Sequence, residues 1–353
     1  MHVGMSVFFQ SSETREDQEV YRDEIALADL AEPLGFESIW GVEHHFTDYT
    51  MCPDVVQWLT YMAARTTKVQ LGSMVVVLPW HQPVRVAEEI AMLDALSGGR
   101  VIFGIGRGLG RIEFEGFGIS MDESRERFVE AAEMILAGLE DGYVKYEGKY
   151  YTQARRDIRP RPFKSFKGRT YAAAVSPESS KIMAELGVGI LIIPQKPWDS
   201  AMAELDTYKE LYRDINGTEA PPTITAGWVF VDEDEDRAKE LGKKYIGGYY
   251  ETVLKHYELA GEHLQQAKGY EYYGKMAQAL NKHGEQSGID FFCDLQVYGT
   301  PDQCFEKIMD IRSMVGNDTF LLVSSYADMP PAEAERNLRV FADTVKPRLQ
   351  ALE

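Results

Sequence analysis

A (β/α)8 barrel of the TIM type is the α/β fold this sequence predicts, on three observations. Eight short β-rich apolar runs punctuate the chain, helical patterns fill the gaps between them, and 353 residues is a length such barrels fill as one domain, here 1–353. The first run is HVGMSVFF (2–9), followed by a helical pattern over 17–33. ESIW (37–40) leads to 54–65, VQLGSMVVVL (69–78) to 83–96, and RVIFGIG (100–106) to 122–140. RTYAAAV (169–175) leads to 177–186, VGILIIP (188–194) to 199–214, TITAGWVFV (223–231) to 234–265, and TFLLVSS (319–325) to 331–350. Near-continuous apolar runs of this kind suit parallel strands covered on both faces.

Three segments stand outside that alternation. YVKYEGKYY (143–151) alternates about an EG turn and predicts an inserted hairpin, and a further helix opens at GTPDQ (299–303). The stretch 265–298, rich in Gly and Tyr and poorly periodic, predicts a long loop insertion, the kind of segment that covers an active site. The acidic run DEDED (232–236) falls where a helix begins, and negative charge there complements the helix dipole.

Composition excludes several function classes. The formal net charge of −19 repels nucleic acid phosphates and anionic membranes. No segment reaches the ~18 consecutive apolar residues that a membrane span needs. The start, MHVGMSVFFQ, lacks the basic region and cleavage site of a signal peptide and reads as a strand, which predicts a cytoplasmic protein. Three cysteines, Cys52, Cys293 and Cys304, form no CxxC and fit a reducing compartment.

In such barrels the active site lies at the C-terminal ends of the strands. GVEHHFTDYT (41–50) follows the second strand and carries Glu43, His44 and His45. Adjacent residues on an extended chain point to opposite sides, so the two histidines do not converge on one ion, and no HExxH or second cluster supplies further ligands. The prediction is therefore no metal, with a histidine near neutrality as acid or base. FGIGRGLGRIEFEGFG (103–118) follows the fourth strand; its glycines, Gly106 and Gly108 among them, let backbone approach a ligand, and Arg107 offers a fork that matches phosphate. The segment does not carry a dinucleotide fingerprint. SPESS (176–180) opens the helix after the fifth strand, where Ser176, Ser179, Ser180 and free amides suit an anion.

EHHFTDY (43–49), LGSMVVVLPWHQPVRVAEEIAMLDALSGGR (71–100) and FGIGRGL (103–109) resemble, in order, motifs of the bacterial luciferase-like flavin-dependent monooxygenases, most strongly the luciferase alpha subunit. The resemblance is tight over roughly 1–135 and looser beyond. It implies a barrel, normally dimeric, that binds reduced FMN (FMNH2) delivered by a separate flavin reductase, reacts it with dioxygen and oxygenates a small organic substrate through a flavin peroxide. By residue match it implies His44 as the catalytic histidine, supported by His45, with Glu113 as an acidic position near the flavin. Arg107, with the neighbouring Gly106, Gly108 and Leu109, and the Val175–Ser176–Ser179 turn would hold FMN; Met74 and Val75 would form a non-prolyl cis peptide beneath the ring. Where luciferase has a reactive cysteine this chain has Gly106, and where it has an acidic residue before the phosphate-binding serine this chain has Val175. Trp80, Trp198 and Trp228 are candidates for the apolar wall, and 265–298, which shares only its position and a KGY with the luciferase mobile loop, for a lid. The alternatives are a deazaflavin-dependent oxidoreductase that transfers hydride and a non-catalytic flavin-binding subunit.

Overall fold

The computed structural model describes residues 1–11, 15–173 and 177–352. Among them, eight parallel strands close a barrel: β1 (His2–Val7), β2 (Ser38–Gly41), β3 (Gln70–Ser73), β4 (Val101–Gly106), β5 (Thr170–Ala173), β6 (Gly189–Ile192), β7 (Ile224–Val231) and β8 (Thr319–Val323). Each strand pairs with the next in the chain, and closure comes from β1 against β8, in register His2↔Thr319 to Ser6↔Val323. Every residue of β7 is buried, as both-face coverage of a parallel strand requires.

The outer layer runs α1 (Asp17–Ala28), α2 (Val55–Arg65), α3 (Pro83–Ser97), α4 (Arg111–Gly116), α5 (Ser124–Asp141), α6 (Pro177–Leu186), α7 (Trp198–Asn216) and α8 (Glu235–His256). Local chemistry fixes the helix starts. Asp54 caps α2 by accepting from the Gln57 amide at 2.8 Å, and Asp234 caps α8 by accepting from Arg237 at 3.0 Å. Within DEDED, Glu235 and Asp236 do sit in the first turn of α8, whereas Asp232 is buried and paired with Arg237 and Arg336. No helix among the described residues is long and apolar enough to cross a membrane.

The structure departs from the sequence reading in several elements. The predicted strand 69–78 is split into β3 and a two-residue strand, Val76–Val77, with the Met74–Val75 peptide bond between them in the cis form. The hairpin's return strand is Thr152–Asp157, beyond YVKYEGKYY. The predicted helix 331–350 becomes α13 (Pro331–Val340), a π turn over Phe341–Val345 and a short helix Lys346–Gln350, because Pro347 has no N–H to continue the ladder. The pattern 234–265 stops at His256, since Glu258 adopts φ 49° and turns its carboxylate onto Arg111.

The largest correction concerns 265–298. It is no loop: after the short α9 (His263–Gln266) come α10 (Glu271–His283) and α11 (Glu285–Leu295). Helix α10 buries Gly274, Ala277 and Leu280 at spacing of three, and α11 buries Ile289, Phe292 and Cys293. The helix predicted at GTPDQ is α12 (Pro301–Val315), with a capping box from Thr300 and Gln303.

Candidate active site

The segment after β2 carries a buried carboxylate that builds its own frame. Glu43 Oε1 accepts from His45 Nε2 at 3.1 Å and His81 Nε2 at 2.7 Å, and Oε2 accepts from the Val77 amide at 2.9 Å. Burial alone would raise this carboxyl, but hydrogen bonds from His45 and His81, the charge of His81 and the Val77 amide outweigh it and hold it below the usual range. Its lone pairs thus fix the ends of β2 and the third-strand segment. His45 turns away with it, its ring edge-on to Trp80 and Phe117.

His44 points the other way, as alternation along an extended chain dictates. Its Nδ1 lies 3.0 Å from Glu113 Oε1, which also accepts the His45 amide at 2.9 Å. Glu113 is buried on α4, a helix that the glycine-rich run hid from the sequence reading. Burial would raise its carboxyl, yet the charge and hydrogen bond of His44 and the facing His256 pull it down to about 2. With Nδ1–H donated to a carboxylate, His44 directs Nε2 toward the Tyr257 hydroxyl, 3.4 Å away.

His44 and Glu113 open on a cavity of about 180 Å3. The same cavity is lined by Glu43, Met74, Val75, Gly106, Arg107, Gly108, Leu109 and Ser179, so residues from four separate segments converge on it. His45 does not line it, and Val175 and Ser176 lie outside the described residues. Ser180 belongs elsewhere, its hydroxyl donating to the Glu204 carbonyl at 3.3 Å. Of the three tryptophans only Trp80 lines the cavity; Trp228 is packed against Phe8, Tyr249 and Phe292, and Trp198 faces another pocket.

Two glycines set the floor. A Cβ on Gly106 would stand 2.3 Å from Val75 Cγ2, so the space left by the missing side chain is filled by Val75. Gly108 adopts φ +85°, and a Cβ there would press on Trp80 and Val77 at 2.9 Å.

Arg107 also lines the cavity, held by the inserted segment. Its Nη1 donates to the Gly269 carbonyl at 2.8 Å and its guanidinium lies 3.9 Å from the Tyr270 ring centre. Arg125, at the start of α5, donates to the same carbonyl at 3.2 Å, and Tyr270 in turn donates toward Gly108 O and Ser124 Oγ at 3.0 Å. Gly269, Tyr272 and Tyr273 therefore form the outer wall. Arg125 and Tyr257 escaped the sequence reading; the signal for Arg125 was faint, since in ESRERF (123–128) two arginines alternate with two glutamates.

His256, at the end of α8, also escaped it. His44, Glu113 and His256 bring one donor atom each within 4.8 Å of one another, so the third member of a possible ion site comes from a segment far along the chain. Glu113 Oε1 is already engaged twice, and the cluster reads as a carboxylate between two imidazoles.

The family model described as luciferase-like monooxygenase matches residues 1–318. The chain belongs to the luciferase-like monooxygenase family. This luciferase-like chain is 25% identical over 342 residues to the alkanal monooxygenase alpha chain of the Kryptophanaron alfredi symbiont, covering 95% of this chain and 94% of that one. Among solved structures it is similar to the monooxygenase RslO1 from Streptomyces bottropensis, with TM-score 0.83 and 26% identity over 99% of both chains. It also shares its fold, at TM-score 0.76, 19% identity and 99% coverage of both chains, with the oxygenating constituent of 3,6-diketocamphane monooxygenase from Pseudomonas putida, a type II Baeyer-Villiger monooxygenase solved with FMN.

The luciferase-like cavity fits a flavin in kind. It offers an apolar floor at Met74 and Val75, a cationic end at Arg107 and Arg125, and a buried Trp80 Nε1 that has no hydrogen-bond partner. Its volume is below the ~300 Å3 typical of ligand pockets, with Gly269, Tyr272 and Tyr273 among its lining residues.

Proposed function

We propose that the chain is a two-component flavin monooxygenase that takes FMNH2 from a separate reductase and, with dioxygen, inserts one oxygen atom into a small organic substrate. The observation that carries this reading is that the His44–Glu113 pair and Arg107 open on one cavity. Reduced FMN, when bound, would supply the two electrons for dioxygen.

The chain's own residues supply the rest. Arg107 and Arg125, released from Gly269, hold the phosphate as a bidentate pair of forks. Met74, Val75 and Gly106 floor the ring site, and Tyr272 and Tyr273 exclude water from above. His44 Nε2 takes or returns a proton at the reacting end, and Glu113 orients it through Nδ1. Tyr257, whose burial pushes its hydroxyl well above the usual value, keeps its proton and donates to that nitrogen.

Three buried, unpaired cysteines suit the cytoplasm, and exposed Tyr61, Met92 and Leu96 on α2 and α3 suit a homodimer.

The test is anaerobic loading with FMNH2 followed by rapid mixing with oxygenated buffer. A transient absorption spectrum unlike reduced or oxidised FMN, decaying faster with a substrate, supports the reading. Direct appearance of oxidised FMN across a substrate panel rejects it and favours deazaflavin hydride transfer or a non-catalytic subunit. His44→Ala lowers turnover by roughly 10²- to 10⁴-fold while FMN affinity stays nearly unchanged; unaltered turnover removes His44 from the mechanism.

A further inference from the structure

The His44–Glu113 pair has a continuation on its far side. His256, buried at the end of α8, sets Nε2 3.5 Å from Glu113 Oε2, an ion-pair distance longer than a hydrogen bond. Neither of those two atoms has a hydrogen-bond partner, so a buried acceptor and a buried ring nitrogen face each other unsatisfied. The other nitrogen, Nδ1, lies 2.8 Å from Thr47 Oγ1. Thr47 and His256 line a second cavity, of about 950 Å3, on the opposite side of Glu113 from the flavin site. Glu113 and His256 are thus the wall between two cavities, and the wall is made of groups that exchange protons.

We propose that Thr47 and His256 complete a proton path that links the second cavity, through Glu113, to His44 in the flavin cavity. This rests on the proposed function, which creates the demand. Reduced flavin as its monoanion, dioxygen, one proton and substrate give oxidised flavin, oxygenated substrate and water, so each turnover draws one proton from solvent. The His44 side chain is only 15% exposed and Tyr272 and Tyr273 line its cavity, so the path supplies that proton from the second cavity rather than from the flavin side.

The electrostatics allow one mobile proton. His256 faces Glu113 from α4, His44, Thr47 and Tyr49 from the segment after β2, and Tyr257 beside it. Burial lowers its affinity for a proton, Glu113 raises it, and a charged His44 lowers it again. Two imidazoles on one carboxylate therefore charge alternately. When His44 gives its proton to the reacting centre, His256 accepts one at Nδ1 from Thr47 and cavity water. Its Nε2 proton passes to Glu113 Oε2, and because His44 keeps Nδ1–H after giving up its Nε2 proton, a half-turn of its ring presents the bare nitrogen to the carboxylate to take that proton; a matching turn of the His256 ring resets its tautomer. The long Glu113–His256 contact needs to shorten by only a few tenths of an ångström, as catalytic hydrogen bonds do when a site fills.

Imidazole NMR of flavin-free protein with 15N-labelled histidines tests the path without FMN. The expected result is that His256→Gln moves the titration midpoint of His44 and that Thr47→Val changes the tautomer balance of His256. A His44 midpoint indifferent to His256→Gln overturns the proposal, as does a stoichiometric metal ion bound to both rings. In turnover, Thr47→Val and His256→Gln each lower kcat by about tenfold, less than loss of the acid–base group itself, with KM and FMN affinity unchanged and an enlarged solvent deuterium effect. Added imidazole restores His256→Ala. Unchanged kcat in both variants refutes the path. If the unaltered protein does not turn over with FMNH2, the proposed function falls while the NMR result still decides the path.

Discussion

Val75 occupies the room that a side chain at position 106 would need, and this makes one pair of residues separately testable. Gly106→Ala forces Val75 Cγ2 away from a Cβ only 2.3 Å distant, an overpacking that costs about 1–3 kcal/mol by denaturant unfolding. Adding Val75→Ala to it recovers most of that loss, and a double variant no more stable than the single one rejects the packing account. Glu113 gives a pH prediction of definite sign. Its carboxyl sits at about 2 in the folded chain against 4.5 ordinarily, so its contribution is complete above about pH 4.5 and lost as pH falls toward 2. Glu113→Gln lacks that contribution at every pH, and the acid-unfolding curves of the two proteins converge near pH 2; parallel curves would show that the carboxylate is not held in this way. At this scale the sequence displayed His44, Glu113 and Arg107, each inside a motif near a strand end. His256, Tyr257 and Arg125 were illegible because they join the site only when distant segments fold together.

Helix α1 carries a buried acid of the opposite kind. Burial raises the Glu24 carboxyl to about 7 despite its hydrogen bond with Ser325 and the charge of Arg15. A raised carboxyl is protonated in the folded chain, so stability falls as pH rises from about 4.5 through 7. Glu24→Gln is accordingly more stable than the parent at pH 8 and equal to it below about pH 4.5, by thermal unfolding at both values; an equal gap at both rejects the shift. The eight strands were legible because strands covered on both faces leave apolar runs that no helix pattern imitates at such length. Helix α10 was not, because its buried stripe uses Gly274 and Ala277, small residues that carry little hydrophobic signal, whereas α11 does carry an apolar stripe at spacing of three in Ile289, Phe292 and Leu295, which the reading of 265–298 as one loop passed over. Helix α4 was masked in the same way by the glycines before it.

At the scale of the molecule, closure of the barrel follows from the alternation of eight strands with helices, and the sequence reading reached it without any long-range contact in hand. What it could not reach was that the inserted segment 268–273 reaches across the barrel mouth to Arg107 and Arg125. The exposed side chains of Tyr61, Met92 and Leu96 lie on two neighbouring helices, α2 and α3. For the proposed homodimer, the expected outcome of Leu96→Glu combined with Met92→Glu is its conversion to a monomer in sedimentation; a parent protein that is monomeric at every concentration removes this assignment.

The Gly269 carbonyl accepts from both Arg107 and Arg125 and so occupies the place between their forks. Under the proposed function that place is the phosphate's, and the backbone acts as a latch that a dianion opens by competition for the same two forks. Inorganic phosphate alone would then act as a partial key, whereas riboflavin, which has no phosphate, would leave the latch engaged whatever the affinity of its ring. On that reading the protein inspects the tail of its cofactor before it admits the head.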